Sequence, residues 1–218
     1  MTLSDDLRKS NGDLWERTVT HLFVQELGDG TLPLDKFRRY FLQDYLFLKT
    51  LAKVVGLAVT KAPSLEAAQP LSPFLSTILN AENALFFRAF QELGVPPQEY
   101  QNAQVLPTGL AMANFMLATA YDGTFDDIVT ALLVTEWTCH DWATRLARAG
   151  KRPPQRMYQE WIDIHCAQEL GDFVAALKRH VDRGITTQAR PRIREVFRTA
   201  LRYEYLFWEM SYHGEAWP

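Results

Sequence analysis

The sequence predicts an all-α bundle of about eight helices. Three observations point there. No stretch sustains period-two alternation of apolar and polar residues, the segments between turn signals are mostly too long for strands, and several carry apolar stripes at helical spacing. The first helix is expected over residues 5–27, ended by the Gly28-Asp29-Gly30 turn. The second, over 34–61, shows the period best: Phe37, Phe41, Asp44, Leu48, Leu51 and Val55 recur at spacings of 4, 3, 4, 3 and 4 before Ala62-Pro63. A third is expected over 64–94 and a short fourth over 97–103, divided at Pro96-Pro97. Pro107-Thr108-Gly109 and Asp122-Gly123 bracket a fifth over 108–121. The sixth, over 125–149, opens with Thr124 as N-cap and with Asp126 and Asp127 in its first turn, where carboxylates favour the positive end of the helix dipole. Its stripe is Ile128, Leu132, Thr135, Cys139, Trp142 and Leu146. After the turn-rich stretch from Gly150 to Pro154, a seventh is expected over 154–166. The eighth, over 168–213, is expected to break near Gly184 and carries Ile193, Phe197, Ala200, Glu204, Phe207 and Ser211 on one stripe.

With 218 residues, 47% of them hydrophobic and 22% charged, the chain has the apolar mass to bury a core, and one domain over 1–218 is expected. Neither repeats nor a Ser/Gly-rich linker divides it. The 23 basic and 26 acidic residues leave a net charge of -3, no electrostatic footprint for a phosphate backbone or an anionic membrane, so neither is expected as a partner. The 2 cysteines form no disulfide framework, which fits a reducing compartment such as the cytoplasm. The polar, acid-bearing N-terminus does not read as a signal peptide, and no run of about 18 apolar residues occurs.

In such a bundle the informative residues are acids that share apolar stripes: Asp44, Glu136 and Glu204. An unpaired buried carboxylate costs several kcal/mol, so each is either used, hydrated, or bonded to a Tyr, Trp or Arg of a neighbouring helix. Tyr40, Tyr45 and Phe47 flank Asp44, while Tyr203, Tyr205, Phe207 and Trp208 flank Glu204. Aromatic walls with one or two carboxylates suit a planar heterocycle, whose faces stack while its nitrogens hydrogen-bond; the plainer reading is an aromatic-rich core. Glu136 and His140 are spaced i, i+4, but no Glu-x-x-His occurs and no metal is expected. His180 and His213 read as solvated. Phosphate loops, nucleophile elbows and zinc-protease helices are absent.

The run His21-Leu-Phe-Val-Gln-Glu-Leu-Gly-Asp-Gly-Thr-Leu-Pro33, then Phe37 and Tyr40-Phe-Leu-Gln-Asp44, then Tyr203-Glu-Tyr-Leu-Phe-Trp-Glu-Met-Ser-Tyr212, resembles the TenA (thiaminase II) family. Ala131-Leu-Leu133 and Tyr158-Gln-Glu-Trp-Ile162 fit the same pattern, so the resemblance spans nearly the whole chain. It implies a haem-oxygenase-like all-α fold without haem, assembled as a homodimer or homotetramer, and hydrolysis of aminopyrimidines from degraded thiamin, with no cofactor. It places the pyrimidine-binding aspartate on Asp44, the stacking aromatic on Phe47 and the catalytic glutamate on Glu204. One branch of the family has a cysteine after Ala-Leu-Leu-Pro; here Ala131-Leu-Leu-Val134 is followed by Thr135. Three pocket tyrosines of that branch are replaced by Met112, Cys139 and His165. The chain is therefore closer to the branch that lacks the cysteine and relies on carboxylates.

Thiolate attack would split one hard displacement into two, a route closed to an unactivated threonine. The expectation is direct attack by water, with Glu136 and Glu204 sharing the roles of general base and acid, on an aminopyrimidine or its formylamino derivative. Thr135, Cys139, Met112 and His165 are expected to line the substrate pocket. Two other classes stay open: an oxygen-using enzyme on the same fold, cofactorless or with a metal pair drawn from Glu82, Glu136, His140 and His165, and a non-catalytic binding or regulatory homologue.

Overall fold

Thr124 starts the helix around which the molecule is arranged. Its hydroxyl accepts from the Asp127 amide while the Asp127 carboxylate accepts from the Thr124 amide, a reciprocal cap that satisfies two otherwise orphaned donors. In the computed structural model, which describes residues 2–218, this helix is the tenth of thirteen α-helices, and no strand occurs among those residues. In order they are α1 Leu3–Ser10, α2 Gly12–Val19, α3 Leu22–Asp29, α4 Leu34–Lys61, α5 Leu65–Ala68 and α6 Leu71–Thr77. A π-helical turn, Ile78–Glu82, leads into α7 Asn83–Glu92, followed by α8 Pro97–Asn102, α9 Pro107–Asp122 and α10 Phe125–Arg148. The chain closes with α11 Arg156–Cys166, α12 Gln168–Gly184 and α13 Arg190–His213.

Every residue of α10 from 127 to 138 is buried, as a helix apolar nearly all round must be. It packs most extensively against α12, α13 and α11, and also meets α9, α4 and α2. The acids in that run, Asp127 and Glu136, are 5% and 6% exposed, so their surroundings decide what they do. The apolar core is one contiguous cluster reaching from Leu3 to Met210, with Trp15, Trp142, Trp161 and Tyr158 among its largest fully buried side chains.

The expected second, fourth, fifth, sixth and seventh helices appear as α4, α8, α9, α10 and α11, with ends shifted by two residues at most. The break near Gly184 separates α12 from α13, which starts with Pro191 in its first turn, where a missing N–H does no harm. Two expectations are corrected. The helix expected over 5–27 is three helices, because two polar residues intervene. The Asn11 side chain turns back to donate to the Leu7 carbonyl at 2.8 Å, and His21 Nδ1 accepts from the Phe23 amide at 3.1 Å, starting α3 anew. The helix expected over 64–94 is interrupted at Pro70, which has no amide hydrogen to continue α5, and again by the wide turn Ile78–Glu82. Gly30 ends α3 in the left-handed conformation (φ 71°), and a Cβ there would lie 2.7 Å from the Pro154 ring, so the turn requires glycine twice over.

His213 is solvated as expected, but His180 is not. Its Nε2 lies 2.7 Å from Asp126 Oδ1 and its ring packs edge-on to Phe125, tying α12 to the first turn of α10. No helix among the described residues is long and apolar enough to cross a membrane.

Candidate active site

Between α4, the π turn, α10, α11 and α12 lies a cavity of about 670 Å³, a size that accommodates a small organic molecule. Its inner end is built by side chains one helical turn apart. On α4, Tyr40, Asp44 and Phe47 follow at spacings that keep them on one face. On α10, Thr135, Glu136 and Cys139 do the same, and His165 closes the wall from α11. The outer end is framed by α6 and α12, whose Phe74 and Phe173 rings stack with centroids 4.0 Å apart and planes at 15°.

Of the expected residues, the structure brings together Asp44, Phe47, Thr135, Glu136, Cys139 and His165. Met112 is not among them: it is 4% exposed, buried in the core on α9 and away from the cavity lining. Glu204 stands behind the wall instead of in it. Its Oε2 accepts from the Thr138 hydroxyl at 3.5 Å, Thr135 lies beside it, and its Oε1 is buried with no hydrogen-bond partner.

The aromatic walls are narrower than the sequence suggests. Phe47 lines the cavity with Phe207 behind it at 6.2 Å, and Tyr40 stacks on Trp208 at 5.0 Å. Tyr45 turns the other way to pack on Phe86, Phe90 and Tyr100, Tyr203 packs on Phe115, and the Tyr205 hydroxyl accepts from Arg17 at 2.6 Å on the surface. Glu82, at the end of the π turn, also lines the cavity, and no reading of the sequence had placed it in a substrate pocket. Its signal was the stripe Ile78, Glu82, Phe86, whose two apolar members are 1% and 0% exposed.

Four carboxyls thus share one low-dielectric region. Burial pushes Asp44 up to about 7, with the Tyr40 hydroxyl opposing it, and burial followed by the charge of Asp44 pushes Glu82 up to about 8. Glu204 is raised to about 8 by burial, against the pull of the Thr135 hydroxyl. Burial, then Glu82, Glu204 and Asp44 in turn, hold Glu136 well above the carboxylate range. Cys139 is pushed up by burial and then by Glu204, Glu136 and Asp44, so it is a thiol and no nucleophile. Burial lowers His165 to about 4, so its ring is neutral. Because His165 Nδ1 meets the Trp161 carbonyl at 2.8 Å and a carbonyl only accepts, Nδ1 carries the hydrogen and Nε2 keeps a free lone pair. His140, tied through Nδ1 to the His165 carbonyl at 3.0 Å, does not line the cavity. No three His, Cys, Asp or Glu side chains among the described residues converge on a point that a metal ion would occupy.

Residues 8–214 match the model of the TENA/THI-4/PQQC family. Among curated proteins, the chain is 31% identical to an aminopyrimidine aminohydrolase of Helicobacter pylori, over 98% of this chain and 100% of that protein. It is 29% identical to the enzyme of that name from Bacillus subtilis, over 100% and 92% of the two chains. Among solved structures, a TenA homologue from P. horikoshii superposes with a TM-score of 0.90 at 28% identity, over 99% of this chain and 100% of that one.

Proposed function

Because the chain belongs to the TENA/THI-4/PQQC family, whose TenA proteins share its helical, haem-oxygenase-like fold, we propose that it is an aminopyrimidine hydrolase. It splits a C–N bond to recover the pyrimidine of degraded thiamin. One observation carries the reading: a cavity of about 670 Å³ whose inner end unites an acid and an aromatic face on α4 with Glu136 on α10, Glu204 waiting behind Thr135. In this scheme Asp44 holds the ring nitrogens and Phe47 stacks on the ring.

With threonine at 135, where one branch of the family has a cysteine, the nucleophile is water. Glu136 faces the cavity and, in its ionised form, takes a proton from water as the C–O bond forms. Glu204 supplies, through the Thr135 hydroxyl, the proton that makes the amine of the substrate cationic, and the C–N bond then breaks with release of ammonia. The proton gained by Glu136 then returns to Glu204 by exchange with solvent, so the site is restored. Acids crowded into one cavity divide these roles because they cannot all ionise together. The scheme calls on no resident cofactor, and we place it in the cytoplasm, in a homodimer or homotetramer.

The test is ammonia release from 4-amino-5-aminomethyl-2-methylpyrimidine by the purified, chelator-treated protein, with the formyl derivative in parallel. Glu204→Gln is expected to lower kcat by at least about 100-fold. A variant that keeps most of the wild-type rate removes Glu204 from the mechanism, and a folded wild type inert toward both compounds overturns the reading.

A further inference from the structure

The inner cavity is unbalanced in charge. Asp44, Glu82 and Glu136 line it and Glu204 lies just behind, yet among the described residues its one cationic lining side chain is Arg179, exposed on α12 at the outer end. His165 is neutral and adds no charge. The acids also differ in how they are held: Asp44 has the Tyr40 hydroxyl and Glu204 the threonine hydroxyls, whereas no protein hydrogen bond engages Glu82 or Glu136. Glu136 is 6% exposed, so it is buried, unpartnered and turned into the cavity.

We infer that Glu82 and Glu136 together form the seat for a positively charged amine arm of the substrate, and that Glu82 is the residue that makes the enzyme prefer an amine-bearing pyrimidine to neutral ones. The inference rests on the reading above and deepens it. Its physical basis is that a buried carboxyl such as Glu136, or a half-buried one such as Glu82, is costly without a counter-ion, and that a cation delivered by the ligand relieves both where a neutral substituent does not. The π turn supports the assignment. A wide turn re-aims the side chains that follow it, and here it ends on Glu82, between Ile78 and Phe86 of the core. The titratable groups that line the cavity with Glu82 are Asp44 and Tyr40 on α4, Glu136 and Cys139 on α10, His165 on α11, and Glu169, Asp172 and Arg179 on α12; the charges that act on Glu82 and Glu136 are those of carboxyls, and Arg179, the one cation, is exposed.

The test uses two ligands that differ only in the arm, 4-amino-5-aminomethyl-2-methylpyrimidine and its neutral 5-hydroxymethyl counterpart. By calorimetry near neutral pH, the wild type is expected to bind the amine at least about tenfold more tightly. In Glu82→Gln, KM for the amine should rise by about tenfold or more, with a smaller change in kcat, while Ki of the hydroxymethyl compound stays within about twofold. Equal losses for both ligands would mean that Glu82 only shapes the cavity, and an unchanged KM would dismiss it altogether. Should Glu82→Gln not fold, the wild-type preference decides alone: no preference for the amine overturns the inference. A wild type that binds the amine selectively but releases no ammonia leaves the seat standing and defeats the hydrolase reading.

Discussion

Two acids on α10 lead opposite lives. Asp141, five residues after Glu136 and so about 140° around the helix, accepts from Arg8 Nη2 at 3.0 Å, Trp15 Nε1 at 2.7 Å and Arg145 Nε at 2.8 Å. Arg145 in turn grips Glu16 with both terminal nitrogens, at 2.6 and 2.9 Å. These bonds fasten α1 and α2 to the central helix. Glu136 has no protein partner and faces the cavity. A carboxylate saturated with donors is part of the framework; one buried without donors is kept against the interest of stability, which marks it for chemistry.

The largest test of that contrast exchanges the two phenotypes. Glu136→Gln should lower kcat by about 10²–10⁴-fold while the protein melts no earlier than wild type. Asp141→Ala should cost about 2–3 kcal/mol of stability, since it strands the charged and indole donors, with kcat per folded molecule nearly unchanged. Ammonia-release kinetics beside thermal melts of both variants would expose a reversal.

The pH dependence of stability sharpens the comparison. Glu82 and Glu204 titrate near 8 in the folded protein, against about 4.5 when unfolded. Between those values the native state holds protons that the unfolded chain has released. Asp44, raised to about 7, acts in the same sense, while His165, lowered from about 6.5 to about 4, works against it below about pH 6.5; Tm should therefore fall as pH rises from about 6.5 to 8 and level off above. Glu136→Gln should flatten the fall and lie above wild type at pH 8, whereas Asp141→Ala should run below wild type throughout. A wild-type Tm that climbs from about pH 6.5 to 8 would contradict the unpaired burial of the acid cluster.

The smallest effect is expected at Cys139. Being a thiol among acids, it should tolerate serine with kcat within about threefold. A far larger loss would give the sulfur a role that its surroundings deny it.

Much of this was legible in the sequence. The stripes of α4 and α13 carry Asp44 and Glu204, and Glu136 stands next to the stripe member Thr135 on α10; an acid amid buried apolar positions stands out whatever packs against it. The bounds of α4 and α10 followed from Gly28-Asp29-Gly30, Ala62-Pro63, the Thr124 cap and the turn from Gly150 to Pro154, all local signals. What failed was non-local or out of phase. Residues 5–27 read as one helix because Asn11 and His21 break it through side-chain bonds to the backbone, and nothing in their spacing demands those bonds. Met112 was placed in the cavity by position in a motif, while its direction depends on how α9 lies against α4. Glu82 entered only as a candidate metal ligand and not as a pocket residue, because the π turn shifts the phase on which stripe counting relies.

That wide turn has a hereditary side. A π turn holds one residue more than the α-helical path between the same two points, so Ile78–Glu82 is where a helix can absorb the insertion or loss of a single codon. Removing that residue would restore the α-helical path and leave the helices on either side in phase, so the side chains that change direction are those of the turn itself. With Phe86 and Phe90 held in the core, Glu82 is the acid that sits at the joint. A change of one codon would thus be enough to add that carboxyl to the cavity or withdraw it, with the rest of the bundle left as it is.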